Sequence, residues 1–525
     1  MPLVFKKGQQ TICSNYRGIA ISDCLSKVFE TILTQRFSLW YKPQPEQAGA
    51  QAGRNCIEQI LALRLLIDYS KTCKTKLWVV FVDFSKAYDR VPRLTLLEEL
   101  KKAGCGQLFL LTVKAMYRCT KFALKSALIN VSMGVKQGAP LSCLLFVFYM
   151  DIMITKINTF GNDGFLNGLN AILLMDDTAI VATSMDACVA KVALLLDYCD
   201  SYGMQINTDK TRFMVINGSS ADREPLPCHD IVIKYSQCYW YLGSPITDDA
   251  KMASVMRQHV SAKSKHVLKF ISFLQKNSDM PFQFKKKVAE ACIVSALLYG
   301  TETWLTSSFQ PLEVQYNRVI KSLLGVRPTI PNDLCYNECG VPRIKDRILA
   351  RRLSFISDHI RRADPARPLS VALGLMKHCK SPRYRNFCEY EHYQHTDLRN
   401  IIQNQVTTKS RFAGYVQLNP SMKQHTIYHS GIRDTLRIQF TRFMLSSHNL
   451  KSETGRWVRP PIPATDRICD CGPFVQDEAH VLTMCPRTLG LRNQFNVCDL
   501  DLTSILNIAP PDLGHLISAI NQIFC

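Results

Sequence analysis

Three carboxylates stand in segments that otherwise read as buried strand, and no other feature of the 525-residue chain narrows its fold as much. Leu77 to Phe84 (LWVVFVDF) is β-branched and aromatic, the composition of a covered strand, and Asp83 sits near its end. Ala171 to Ala182 (AILLMDDTAIVA) has two apolar arms around Asp176-Asp177, the pattern of a hairpin with its acids at the turn. A carboxylate at the end of a buried strand is costly unless something offsets its desolvation. A hard divalent cation does so, because Mg²⁺ takes oxygen ligands and leaves room for phosphate. If the strands lie side by side, Asp83 meets the turn, and such a cluster suits two metals about 3.5–4 Å apart, as in-line phosphoryl transfer requires. An Asp-Asp pair alone is an ordinary turn, so the surrounding segments must decide.

Those segments alternate helix and strand periods over the first 220 residues. Ile57, Ile60, Leu61 and Leu65 form a helical stripe. Helices are expected over Leu94 to Lys102, closed by Gly104, over Pro140 to Met150, and over Asp186 to Tyr202 with Gly203 after it. With a strand at Arg212 to Ile216, the order resembles a split βαβ sheet with helices behind one face. Ile231 to Leu242 reads as a hairpin, and Asp249 to about Ala363 as mostly helical and basic. The length implies about two to four domains. With 64 Lys and Arg against 43 Asp and Glu, the net charge is +21, which points to a polyanionic partner such as nucleic acid. The 21 Cys are scattered, and MPLVFKKGQQ lacks the apolar core of a signal peptide, so a reducing compartment is expected. The longest apolar run, Leu141 to Met150, ends at Asp151, too short to span a bilayer, so no membrane partner is expected.

Five segments carry a resemblance: NYRGI (Asn15 to Ile19), FVDFSKAYD (Phe81 to Asp89), GVKQGAPLS (Gly134 to Ser142), LMDD (Leu174 to Asp177) and GMQINTDKT (Gly203 to Thr211). Their order and spacing resemble the reverse transcriptase of non-LTR (LINE-type) retrotransposons, and FKKG, AGRN and YWYLG fit as well. The resemblance implies an α/β palm-and-fingers polymerase core, the right-hand reverse transcriptase fold. A mostly α-helical thumb and a C-terminal region with a small zinc-knuckle-like segment would follow. The expected divisions are 1–220 for fingers and palm, 221–345 for the primer-grip hairpin and thumb, 346–455 for a helical or irregular basic region, and 456–525 for the Cys/His segment. The implied activity is an RNA-directed DNA polymerase that extends a DNA 3′ end on an RNA template with dNTPs, in target-primed reverse transcription. Asp83, Asp176 and Asp177 would be catalytic and bind two Mg²⁺ ions, with the Phe84 carbonyl beside them. Arg17, with Lys6 or Lys7, would neutralise the triphosphate, and Tyr88 would act as a steric gate against ribose. Gln137 and Gly138 would lie against the templating pair, Lys210 would protonate pyrophosphate, and Tyr241, Leu242 and Gly243 would form the primer grip. The chain departs from the family pattern at Ala50, where Phe is common, at Cys143, where Pro is common, and at Leu174, where an aromatic is usual; Met175 fills a variable place. None of these four is an implied metal ligand.

RICDCGPFVQDEAHVLTMCP supplies Cys469, Cys471, His480 and Cys485 in C-x-C-x8-H-x4-C order, a donor set for tetrahedral Zn²⁺. His480 and Cys485 would point about 140° apart on a straight helix, so a helix there must bend or end. Arg467 and Arg487 suggest nucleic-acid contact nearby. Because the chain opens at the fingers motif, an N-terminally truncated reading frame without the family's endonuclease is expected. The expected location is the nucleus or a cytoplasmic ribonucleoprotein. Two alternatives stay open: an inactive or domesticated RNA-binding remnant, and a group II intron maturase.

Overall fold

The computed structural model describes residues 3–5, 8–12, 15–118, 121–124, 127–360, 364–394 and 397–524. The chain divides into two compact units, one of residues 1–255, 303–307 and 354–389, the other of 256–302, 308–353 and 390–525.

The first unit is built on Leu77–Val82, whose six residues are all buried. Twelve strands are present among the described residues: β1 (Leu3–Phe5), β2 (Tyr16–Gly18), β3 (Leu77–Val82), β4 (Lys121–Leu124), β5 (Ala127–Asn130), β6 (Ala171–Leu174), β7 (Asp177–Ala182), β8 (Arg212–Ile216), β9 (Leu226–Cys228), β10 (Ile231–Tyr235), β11 (Cys238–Tyr241) and β12 (Ser244–Thr247). Six of them form one sheet in the order β6-β7-β3-β8-β10-β9. β3 runs antiparallel to both β7 and β8, while β10 lies parallel to β8.

Helices cover both faces of this sheet, not one. Trp78, Val80 and Val82 join a core with the helices Pro140–Asn158 and Met185–Tyr202, and the buried helix Cys56–Cys73 packs against β6 and β8. A strand buried without polar alternation requires cover on both sides. The expected hairpin at Ile231 to Leu242 is also corrected. β10 is taken by β8 and β9, and the hairpin is β11–β12, turned at Leu242 and Gly243 with φ of 49° and 76°. The helix Pro368–His378 packs on Cys56–Cys73, and Asp68 of the latter accepts from Ser381 and pairs with Arg383.

The second unit is mostly helical. The helix Gln310–Leu324 buries Leu312, Tyr316, Val319, Ile320, Leu323 and Leu324. Its end is capped from another helix: the buried Arg437 guanidinium donates to the carbonyls of Leu323 and Leu324 at 3.0 and 2.8 Å. Arg437 pairs with Asp434, which also takes Lys285 Nζ at 2.6 Å, so two buried cations share one buried carboxylate.

The helix Pro140–Asn158 runs past Asp151 to 19 residues, long and apolar enough by length and composition to cross a bilayer. It lies mostly inside the first unit, and Asp151 is tolerated because Tyr41 Oη and the Gln44 amide donate to it. Burial still pushes the Asp151 carboxyl up to about 7. The folded state therefore holds this proton more tightly than the unfolded chain, and stability from this group falls as pH rises from about 4 to 7. Melting temperature is expected to drop across that window relative to Asp151→Asn; parallel pH profiles for the two proteins would refute the burial cause.

Candidate functional site

The register of three strands assembles the acids. Val82 pairs with Thr178 and Leu174 with Asp177, so Asp83, one residue beyond β3, lies level with the β6–β7 turn. Met175 and Asp176 form that turn, Met175 with φ of 61°. Desolvation by the surrounding strand ends, then the carboxylates of Asp176 and Asp83, push the Asp177 carboxyl up to about 6 against the opposing Lys210 ammonium. Lys210 Nζ lies 2.9 and 3.3 Å from the two oxygens of Asp83.

The backbone around Asp83 is clasped by the segment carrying Lys210. The Asp83 amide donates to Thr211 Oγ1, Asn207 N donates to the Asp83 carbonyl at 2.7 Å, and Ser85 N donates to Gln205 O at 2.8 Å. Phe84 bridges Ile206 across this clasp.

A second brace comes from Glu46 to Gly49. The fully buried Gln47 side chain accepts from the Met175 amide at 2.7 Å and donates to the Met175 carbonyl at 3.1 Å. Ala48 N donates to the Leu173 carbonyl, and Leu173 N to Glu46 O. One Gln of three in PQPEQAGAQ carries no local signal of a contact 128 positions away.

On the neighbouring hairpin, the Tyr239 ring stacks on Phe81 at 4.3 Å. Its hydroxyl is pushed up to about 12 by burial and by the charges of Asp83 and Asp177. Tyr241 is buried and donates to the Ile172 carbonyl at 3.0 Å, while Leu242 and Gly243 make the turn. The fully buried Arg64 donates to Ser244 Oγ and Pro245 O, both at 3.0 Å, and to Thr303 Oγ1, fixing β12. Burial lowers its pKa to about 9. Tyr239 belongs to the YWYLG segment noted in the sequence, whereas Arg64, inside an apolar helix, carries no such signal.

The Tyr88 ring stacks on Phe146 at 4.1 Å. Gln137 Nε2 donates to Asp89 Oδ1, and its carbonyl accepts from the Ala20 amide at 2.8 Å. Gly138 has φ of 99°, and a Cβ there would meet Ala20 O at 3.1 Å. Lys6 and Lys7 lie outside the described residues. Arg17 is in β2, opposite Val4.

In the second unit, Cys469, Cys471, His480 and Cys485 come together, with donor atoms all within 4.8 Å of one another. Cys471 Sγ lies 3.1 Å from His480 Nε2, and Cys469 Sγ 3.9 Å from Cys485 Sγ. The helix Glu478–Thr483 ends two residues before Cys485, whose amide donates back to the His480 carbonyl, and this turn brings the two ligand types together. Among the described residues this is the one Cys, His and acid group so tightly drawn.

Residues 4–246 match the family model of reverse transcriptase (RNA-dependent DNA polymerase). The probable RNA-directed DNA polymerase from transposon BS of Drosophila melanogaster is 23% identical over 392 residues, 68% of this chain and 42% of that protein. A putative 115 kDa protein in the type-1 retrotransposable element R1DM, also of Drosophila melanogaster, is 21% identical over 510 residues, 91% of this chain and 46% of that protein. The chain thus spans less than half the length of these relatives. Among solved structures, telomerase from Candida albicans in complex with a TWJ fragment of telomeric RNA is 12% identical with a TM-score of 0.32, over 70% of this chain and 55% of that one.

Gly49 offers a test of the brace. A Cβ at this position would lie 2.4 Å from Met175 Sδ and 2.9 Å from the Met175 amide nitrogen. Gly49→Ala should destabilise the chain by about 1–3 kcal/mol in thermal or urea unfolding. Unchanged stability would mean that the segment does not press on the turn.

Proposed function

We propose, taking residues 4–246 as a reverse transcriptase domain of the non-LTR retrotransposon type, that the chain extends a DNA 3′ end on an RNA template, as in target-primed reverse transcription. The observation that carries this reading is the meeting of Asp83, Asp176 and Asp177 at one strand end, where desolvation, and after it the neighbouring carboxylates, lift the Asp177 carboxyl to about 6. Three oxygen donors in excess of their one ammonium counterion suit a hard divalent cation. Asp83, Asp176 and Asp177 would hold two magnesium ions, which when bound lower the pKa of the primer hydroxyl and neutralise the triphosphate.

The remaining roles belong to the protein. Tyr88, held flat on Phe146, would fill the space a ribose 2′-OH needs and so select dNTPs. Gly138 would let the backbone approach the templating pair beside Gln137. Lys210 already lies within hydrogen-bond reach of Asp83, from where its ammonium would pass a proton to the departing pyrophosphate. Arg17, with Lys6 or Lys7, would pair with the triphosphate. Tyr241, Leu242 and Gly243, anchored through Arg64 and Ile172, would press on the primer.

The Cys/His cluster fits Zn²⁺ by its donor set: three thiols and one imidazole, largely buried, are already gathered within 4.8 Å of one another. It would fix the fold of the terminal segment that carries Arg467 and Arg487.

Primer extension on an RNA template with Mg²⁺ tests the polymerase. Asp176→Asn should lower the rate about 100-fold or more, about 3 kcal/mol in the barrier. Activity that survives the substitution would reject the metal assignment, and no activity in the wild type would favour an RNA-binding remnant. Zinc is tested separately by metal analysis of the purified protein. Bound zinc per chain should fall in Cys485→Ser, and unchanged content would reject the cluster as its site.

A further inference from the structure

The second unit holds a cavity of about 340 Å³, lined among others by Arg327, Arg442, Gln439, Asn449, Asn521 and Phe524. That volume is at the lower end for small-ligand sites. Two arginines give its wall positive charge. Arg442 is exposed and spends only Nε on the Gly325 carbonyl, while Arg327 donates to the His448 carbonyl and Asn449 Oδ1. Neither pairs with a carboxylate among the described residues. The nearby Glu453 is already bound by Arg411 and Arg456.

Aromatic faces accompany the cations. The Arg327 guanidinium lies 4.1 Å over the ring of Trp457, which is 50% exposed, and Arg487 lies 4.7 Å over Phe524. Asn521 Nδ2 donates to Gln439 Oε1 at 3.0 Å, a bond that does not use the Gln439 amide N–H groups or the Asn521 carbonyl of these two lining residues. A guanidinium free to fork onto phosphate, an aromatic ring and a donor–acceptor amide pair are what one nucleotide of an unpaired strand requires. An acidic peptide would use the arginines but has no need of the ring or the amide pair.

We propose that this cavity binds a single nucleotide of unpaired RNA or DNA, its phosphate on Arg442 and Arg327 and its base against Phe524 and the Gln439–Asn521 pair. The proposal rests on the reading of the chain as a nucleic-acid enzyme, but it concerns a site in the other unit from the acidic cluster.

The test uses the full chain and a dye-labelled eight-nucleotide oligouridylate, with affinity measured over a range of salt. Phe524→Ala and Asn521→Ala should each weaken binding about tenfold. Arg442→Gln should weaken it similarly and reduce the slope of log affinity on log salt by about one. In the wild type, oligouridylate carrying 4-thiouridine should crosslink to the peptides containing Trp457 or Phe524, a readout independent of how well any variant folds. Unchanged affinity in all three variants, with crosslinks elsewhere, overturns the proposal. So does competition by polyglutamate or inorganic phosphate as effective as that by uridine monophosphate, which would indicate a peptide or anion site. Mg²⁺-dependent primer extension by the wild type, run on the same preparation, judges the polymerase reading separately. Binding that responds to the pocket variants without extension leaves the pocket standing, and extension without such a response removes only the pocket.

Discussion

Repulsion among carboxylates is the constraint that the first unit is arranged to withstand. β3 and the β6–β7 hairpin are held in a register that sets Asp83 beside Asp176 and Asp177. Left to itself, that charge would push the strand ends apart. The fold opposes this with backbone hydrogen bonds, not with counter-charge alone. Gln205, Asn207 and Thr211 clasp the Asp83 segment, Gln47 grips both polar atoms of Met175, and Lys210 supplies one ammonium. A site held open in this way keeps its oxygens available to a cation, as preorganised electrostatics requires.

How much of this was legible in the sequence followed the range of each interaction. The hairpin around Asp176 and the strand before Asp83 announce themselves, because β-branched arms and a two-residue turn are local properties. Gly203 ending the helix Met185–Tyr202 in a left-handed conformation is equally local. The Gln47 cradle was invisible, since its meaning depends on a turn 128 residues away. The hairpin was misplaced by one strand because β10 is apolar enough to pair with either neighbour. Only the turn at Leu242 and Gly243 favours β11–β12, and only β8 and β9 claim β10. Asp151 misled for a different reason. A charge in an apolar run reads as an end, yet Tyr41 and Gln44 satisfy it and the helix continues.

The two candidate metal sites differ in how the chain prepares them. The Cys/His donors are already gathered, because a short loop and a helix that stops at Thr483 bring soft ligands together at little electrostatic cost. The acids carry like charges, and one of them is engaged by Lys210. Divalent cation binding at the acids therefore has to displace or rearrange an ammonium, whereas binding at the thiols chiefly releases protons.

Asp68 has a kinetic meaning beyond its hydrogen bonds. Its partners Ser381 and Arg383 lie 313 and 315 residues further along, on the segment whose helix Pro368–His378 covers the helix Cys56–Cys73. At about 5–20 residues per second, a ribosome needs roughly 15–60 s to travel from one to the other. During that interval the emerging sheet exposes an apolar helix that its own polypeptide cannot yet shield. Completion of the first unit thus waits on residues made some 300 positions after its central helix.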